Sequence, residues 1–233
     1  MKKLVLLAAF IAAPLMHVQA QKKIEVAEIW NGTFRTNQLN ALNTLHTKNE
    51  YSVLNYDQKS NTFTIDAYDF TTLEKTKTLF NSKNFSELEG IDDYSINKTD
   101  DKILIATSST PIYRHSFTAV YYLYDIKTNT LTKVSNNAIQ EPLLTADGSK
   151  IAYAFENNLY VFDVNKNTTV QVTKDGVYNK IINGITDWVY EEEFAFVRAF
   201  DWNADGTQLA FIRFDESDVP TFSMDVYGKE LYP

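Results

Sequence analysis

From Gln21 onward the chain alternates short segments dense in Val, Ile, Thr, Tyr and Phe with polar turns rich in Asn, Asp and Gly. That rhythm predicts an all-β protein built from hairpins, and helical periodicity is hard to find. Turn chemistry falls at Asn129-Thr130, Asp147-Gly148 and Asn157-Asn158, where Asn, Asp and Gly tolerate the backbone angles of tight turns. Two segments repeat closely: Thr-Ala-Asp-Gly-Ser-Lys-Ile-Ala-Tyr at 145–153 and Asn-Ala-Asp-Gly-Thr-Gln-Leu-Ala-Phe at 203–211. A weaker copy begins at Thr99-Asp100-Asp101-Lys102. A strand–turn–strand unit recurring every ~50 residues is the period of four-stranded propeller blades. The expectation is a partial β-propeller of about four blades, each a four-stranded antiparallel sheet. One interval is stretched between Val172 and Phe200, which predicts a short inserted segment around 187–196. Insertions in repeat arrays project from one face, often the binding face.

Upstream of this pattern, Met1-Lys2-Lys3, an apolar stretch from Leu4 to Leu15 and a small residue at Ala20 before Gln21 predict a signal peptide over residues 1–20. An apolar run of about a dozen residues is short of the ~20 that cross a bilayer. No membrane span is therefore expected after cleavage, and a bacterial periplasmic or envelope location fits. The sequence has no cysteine, hence neither a lipid-attachment site nor a disulfide framework. Its net charge of -8, with 22 scattered Lys and Arg, disfavours nucleic acid as a partner.

The chemistry gathers in the insertion. A run of glutamates such as Glu191-Glu192-Glu193 is ordinarily a solvated surface feature. Here Trp188, Tyr190, Phe194 and Phe196 flank it, and burial of those rings would fix the carboxylates in place. Adjacent fixed carboxylates repel unless a cation lies between them, so such a site wants a cation. The Asp-Gly turns lack the alternating acids of a calcium loop, and neither metal nor cofactor is expected. No Gly-x-Ser-x-Gly elbow occurs, and the histidines, His17, His46 and His115, stand near no candidate nucleophile. No catalytic residue is therefore assigned within this chain.

The segment Asn183-Gly184-Ile185-Thr186-Asp187-Trp188-Val189-Tyr190-Glu191-Glu192-Glu193 resembles, nearly residue for residue, the double-glutamate motif of the dipeptidyl peptidase IV family of prolyl oligopeptidase-type serine peptidases. Tyr113-Arg114-His115-Ser116-Phe117-Thr118-Ala119 is similar to that family's arginine-bearing segment, and Tyr124-Asp125 and the stretch 214–220 follow suit. Residues 21–97 match only loosely. The resemblance implies that residues 21–233 are the N-terminal portion of an eight-bladed propeller. The α/β-hydrolase domain with its Ser-Asp-His triad would then lie outside this sequence, and the chain would be an inactive fragment by itself.

It further implies that Glu192 and Glu193 grip the α-ammonium of a peptide substrate and that Arg114 binds a substrate carbonyl. Glu191 would be the structural member of the triplet, with Trp188 and Tyr190 in support. The implied activity is release of N-terminal Xaa-Pro or Xaa-Ala dipeptides, and the implied full-length assembly is a homodimer. A reading from another class stays open: a non-catalytic propeller that binds peptides or serves as an interaction module.

Overall fold

The computed structural model describes residues 23–36 and 39–223, so the expected leader at 1–20 lies outside the described residues. The chain divides into two compact units, residues 1–39 and 40–233. In the first, a five-residue helix, α1 (Val26–Trp30), opens with a capping box in which Glu25 and Glu28 satisfy each other's backbone N–H groups.

The second unit is built of antiparallel sheet. β1 (Leu42–Thr44), β2 (Glu50–Asp57), β3 (Thr62–Asp69) and β4 (Lys75–Asn81) form one four-stranded sheet in chain order. A second holds β5 (Asp93–Ile96), β6 (Lys102–Pro111), β7 (Phe117–Asp125) and β8 (Thr130–Lys133). A third holds β9 (Gln140–Leu144), β10 (Lys150–Phe155), β11 (Asn158–Asp163) and β12 (Thr168–Gln171). The fourth repeat differs from the uniform four-stranded blade expected. β13 (Ile181–Asn183) pairs with β16 (Arg213–Asp215), while β14 (Phe200–Trp202) pairs with β15 (Leu209–Phe211), giving two short ladders. Backbone bonds from Ala199 to Gly184 and from Ile212 to Ala199 tie the two ladders together. Between β13 and β14 stands α2 (Trp188–Phe194), the inserted segment.

The central strands β6 and β10, of the second and third sheets, are apolar on both faces because each is covered on both faces. On β6, Ile103 and Ile105 join a core with Ile65, Phe80 and Tyr94 of the first and second sheets. The alternate residues Leu104 and Ala106 pack with Ile151, Tyr153 and Phe162 of the third. On β10 the alternation repeats, with Ala152 and Ala154 facing Leu159, Ile182, Ile185 and Phe200. Three core layers thus separate four consecutive repeats, and the period-2 strand geometry assigns each side chain to one layer.

The repeated turn is also real, and it recurs once more than the sequence displayed. Leu45, Asn97, Thr145 and Asn203 each donate a backbone N–H to the carbonyl five residues on, at Glu50, Lys102, Lys150 and Gln208. Successive copies touch. Asp100 accepts from the backbone N–H groups of His46 and Thr47 at 2.9 and 2.6 Å. Lys150 Nζ donates to the carbonyl of Gly206 at 2.9 Å. Gly206 needs to be glycine, because its φ is +67° and a Cβ would lie 2.8 Å from Thr145 Cγ2. These turns mark one end of the strands. The β6–β7 turn and α2 fall at the other end, since strand direction reverses at each hairpin. Among the described residues no helix is long and apolar enough to cross a membrane.

Candidate functional site

The β6–β7 hairpin is long, with ten residues in β6 against six in β10 of the next sheet. A register shift between Thr107 and Thr110 bends its far end, and the turn at its tip carries Tyr113, Arg114 and His115. The third sheet turns back early, at Glu156 and Asn157, both in the left-handed region. The long hairpin therefore reaches over the short one toward α2 of the fourth repeat.

α2 is only seven residues long, too short to persist without anchors. Asp187 caps its N-terminus, accepting the Tyr190 N–H at 3.0 Å. Ala195 ends it in the left-handed conformation, with its N–H bonded to the Glu191 carbonyl. The decisive anchor is Glu191. Its side chain is 1% exposed, and Oε1 accepts the backbone N–H groups of His115 and Ser116 at 2.5 and 2.7 Å. Burial works against its charge, but the contacts from Ser116 and His115 outweigh burial and hold the carboxyl below the usual glutamate range. A carboxylate on the insertion thus fastens the turn that carries Arg114.

The consequence for the neighbouring side chains is direct. Arg114 Nε lies 3.2 Å from Glu192 Oε2, with the arginine 72% and the glutamate 12% exposed. Glu193 is exposed one position on. The cation that the acidic run calls for is therefore Arg114, supplied from a hairpin two sheets earlier. The expectation that ring burial fixes the acids is corrected: Trp188, Tyr190 and Phe194 are exposed at 53, 40 and 69%. Tyr190 nonetheless packs on Phe214 and Phe196, with ring centroids 5.2 and 6.4 Å away. Hydrogen bonds at Asp187 and Glu191, not a ring core, hold the helix.

Beside this pair lies a cleft of about 600 Å³ over the short hairpin, lined among others by Tyr113, Asn157, Asp187, Trp188 and Glu216. Burial and the facing Asp187 raise the Glu216 carboxyl. Two charged residues escaped the sequence reading. Arg198 Nη1 stands 3.6 Å from Glu141 Oε2, and no local pattern announces a contact between residues so far apart in the chain. Among the described residues no group of His, Cys, Asp and Glu is disposed to hold a metal ion.

Successive four-stranded sheets packed face to face, with an acidic helix inserted on one end, define a β-propeller segment that brings the Glu192 carboxylate and the Arg114 guanidinium together. The family described as the dipeptidyl peptidase IV (DPP IV) N-terminal region matches residues 97–233, and this chain belongs to it. It is similar to prolyl endopeptidase FAP of Mus musculus, 31% identical over 91% of this chain and 27% of that protein. Dipeptidyl peptidase 4 of Felis catus is 36% identical over 64% of this chain and 20% of its own length. The crystal structure of Porphyromonas gingivalis dipeptidyl peptidase 4 superimposes with a TM-score of 0.82 at 33% identity, covering 91% of this chain and 30% of that one. The chain spans less than a third of the length of each of these relatives.

Proposed function

We propose that this chain is the substrate-recognition part of an exported serine exopeptidase of the dipeptidyl peptidase IV type. Glu192 and Glu193 receive the α-ammonium of a peptide, and Arg114 holds a backbone carbonyl beside it. The observation that carries the reading is the Arg114–Glu192 pair at 3.2 Å, on two elements that Glu191 fastens together.

The chemistry follows from donor counts. An ammonium offers three donors, and two carboxylates accept them in charge-assisted bonds. In the free protein Arg114 offsets the charge of Glu192, and a bound ammonium shares that carboxylate while the guanidinium fork turns to a carbonyl. Anchoring the amino terminus limits how much chain precedes the cut, because two extended residues span only ~7 Å. The nucleophile, its histidine and its orienting acid belong to a catalytic domain outside this sequence, and cleavage after Xaa-Pro or Xaa-Ala would be selected there.

The test uses the full-length protein and a dipeptide-releasing substrate with a free or an N-acetylated terminus. Acetylation is expected to abolish turnover, and Glu192→Gln to lower kcat/KM by about 30-fold or more, the loss of one charge-assisted bond. Affinity should fade above about pH 8, where the α-amino group loses its proton. Equal binding of free and acetylated peptides would overturn the reading. Binding without cleavage would assign the protein to peptide capture instead.

A further inference from the structure

Glu141 occupies an unusual backbone position. The β9–β10 register shifts between Ala152 and Ala154, which pair with Leu143 and Gln140, so Glu141 and Pro142 stand opposite one residue of β10. The bulge holds Glu141 at φ +51°. A non-glycine residue there is strained, and such strain persists only where surrounding contacts enforce it. Bulges re-aim side chains, and this one aims the Glu141 carboxylate, 20% exposed, at the guanidinium of Arg198.

Arg198 stands at the neck of the insertion. It forms the β-bridge with Ile185 that closes the loop carrying α2. One residue inward, the Thr186 N–H donates to the Val197 carbonyl at 3.2 Å, and the Thr186 hydroxyl donates to the Phe196 carbonyl at 2.5 Å. Burial raises the Glu141 carboxyl, Arg198 opposes that rise, and the negative charge of Glu191 adds to it. A small cavity of about 240 Å³ is lined by both members of the pair and by Phe117 and Tyr121 of β7, the strand that leaves the Arg114 turn. Two contacts therefore straddle the site: Glu191 ties the helix to the turn, and Arg198–Glu141 ties the neck of the insertion to the third sheet.

We propose that Glu141 and Arg198 are positioning residues, whose ion pair fixes the root of the α2 insertion and so sets the placement of Glu192 and Glu193 relative to Arg114. This rests on the amino-terminus reading of the site. Neither residue touches the substrate. Each acts through the geometry of the two glutamates, where a misplacement of about 1 Å is costly to binding.

The experiment measures kcat and KM of the full-length enzyme with a free-amino-terminus substrate, alongside melting of each variant. Arg198→Glu, which sets a third carboxylate beside Glu141 and Glu191, is expected to raise KM about tenfold with kcat within about twofold. The reciprocal pair Glu141→Arg with Arg198→Glu is expected to recover most of that loss, the coupling of residues in direct contact. Should Arg198→Glu fail to fold, Arg198→Lys carries the test, with an expected rise in KM of about threefold at unchanged melting temperature. Unchanged KM in a folded Arg198→Glu variant, or no recovery in the reciprocal pair, overturns the proposal while leaving the amino-terminus reading intact. Indifference of the wild-type enzyme to N-acetylation overturns both.

Discussion

At the scale of single residues, Glu191 fastens the helix to the Arg114 turn through a buried carboxylate. Its folded pKa lies below the ordinary value, so its ionised form favours the fold. That contribution is fully present above the unfolded pKa of ~4.3 and is lost as pH falls through the lower folded value. Replacing the carboxylate with an amide should weaken both bonds to the His115 and Ser116 N–H groups. Glu191→Gln is therefore expected to cost about 1–3 kcal/mol near pH 7. Urea titrations at pH 7 and pH 3 should show the gap between variant and wild type narrowing in acid, and a gap independent of pH would contradict this role. Little of it was legible in the chain. A run of three glutamates does not by itself say which one turns inward; the resemblance gave Glu191 the structural part but not its partners, whose donors lie 75 and 76 positions away. The resemblance of two motifs named Arg114, Glu192 and Glu193. In the fold the arginine already pairs with one of those acids.

Among the elements, the strands were the readable part and the helix was not. Runs such as Lys102-Ile103-Leu104-Ile105 state their burial on both faces, and the Asp-Gly and Asn-Asn turns state where the chain reverses. α2 shows no apolar stripe, because it is exposed along most of its length and ends on Ala195 where glycine would be the usual signal. Its one local cue is Asp187 before Trp188. Since a two-turn helix has little intrinsic stability, the cap should matter: Asp187→Ala is expected to cost about 1 kcal/mol. Hydrogen exchange at the Tyr190 amide is the direct readout, and unchanged protection there would show that Glu191 alone suffices. The fourth repeat departed from the expected blade for a related reason. The insertion interrupts its first strand pairing, leaving two ladders joined by single bonds.

For the molecule as a whole, cohesion along the repeats rests on three core layers and on the turns that touch from one sheet to the next. Asp100 is the junction between the first and second sheets. It accepts from the His46 and Thr47 N–H groups and from the Thr47 hydroxyl at 2.6 Å. Those bonds outweigh burial and lower its pKa. Asp100→Ala leaves these backbone donors to water and should loosen the first sheet selectively. Amide exchange in β1–β4 is expected to accelerate while β9–β12 stays protected, since nearest-neighbour contacts dominate in repeat arrays. Uniform acceleration across all sheets would mean instead that the unit opens as one.

The short turn at Glu156-Asn157 leaves a gap between two taller neighbours, the Arg114 hairpin and the acidic helix, and the cleft lies in that gap. The contacts between successive repeated turns sit at the opposite ends of the strands, so this spot can change length without disturbing them. A longer loop grafted there would stand in the doorway to the paired charges. It would convert an open cleft into a size filter, admitting slender groups and turning away bulky ones.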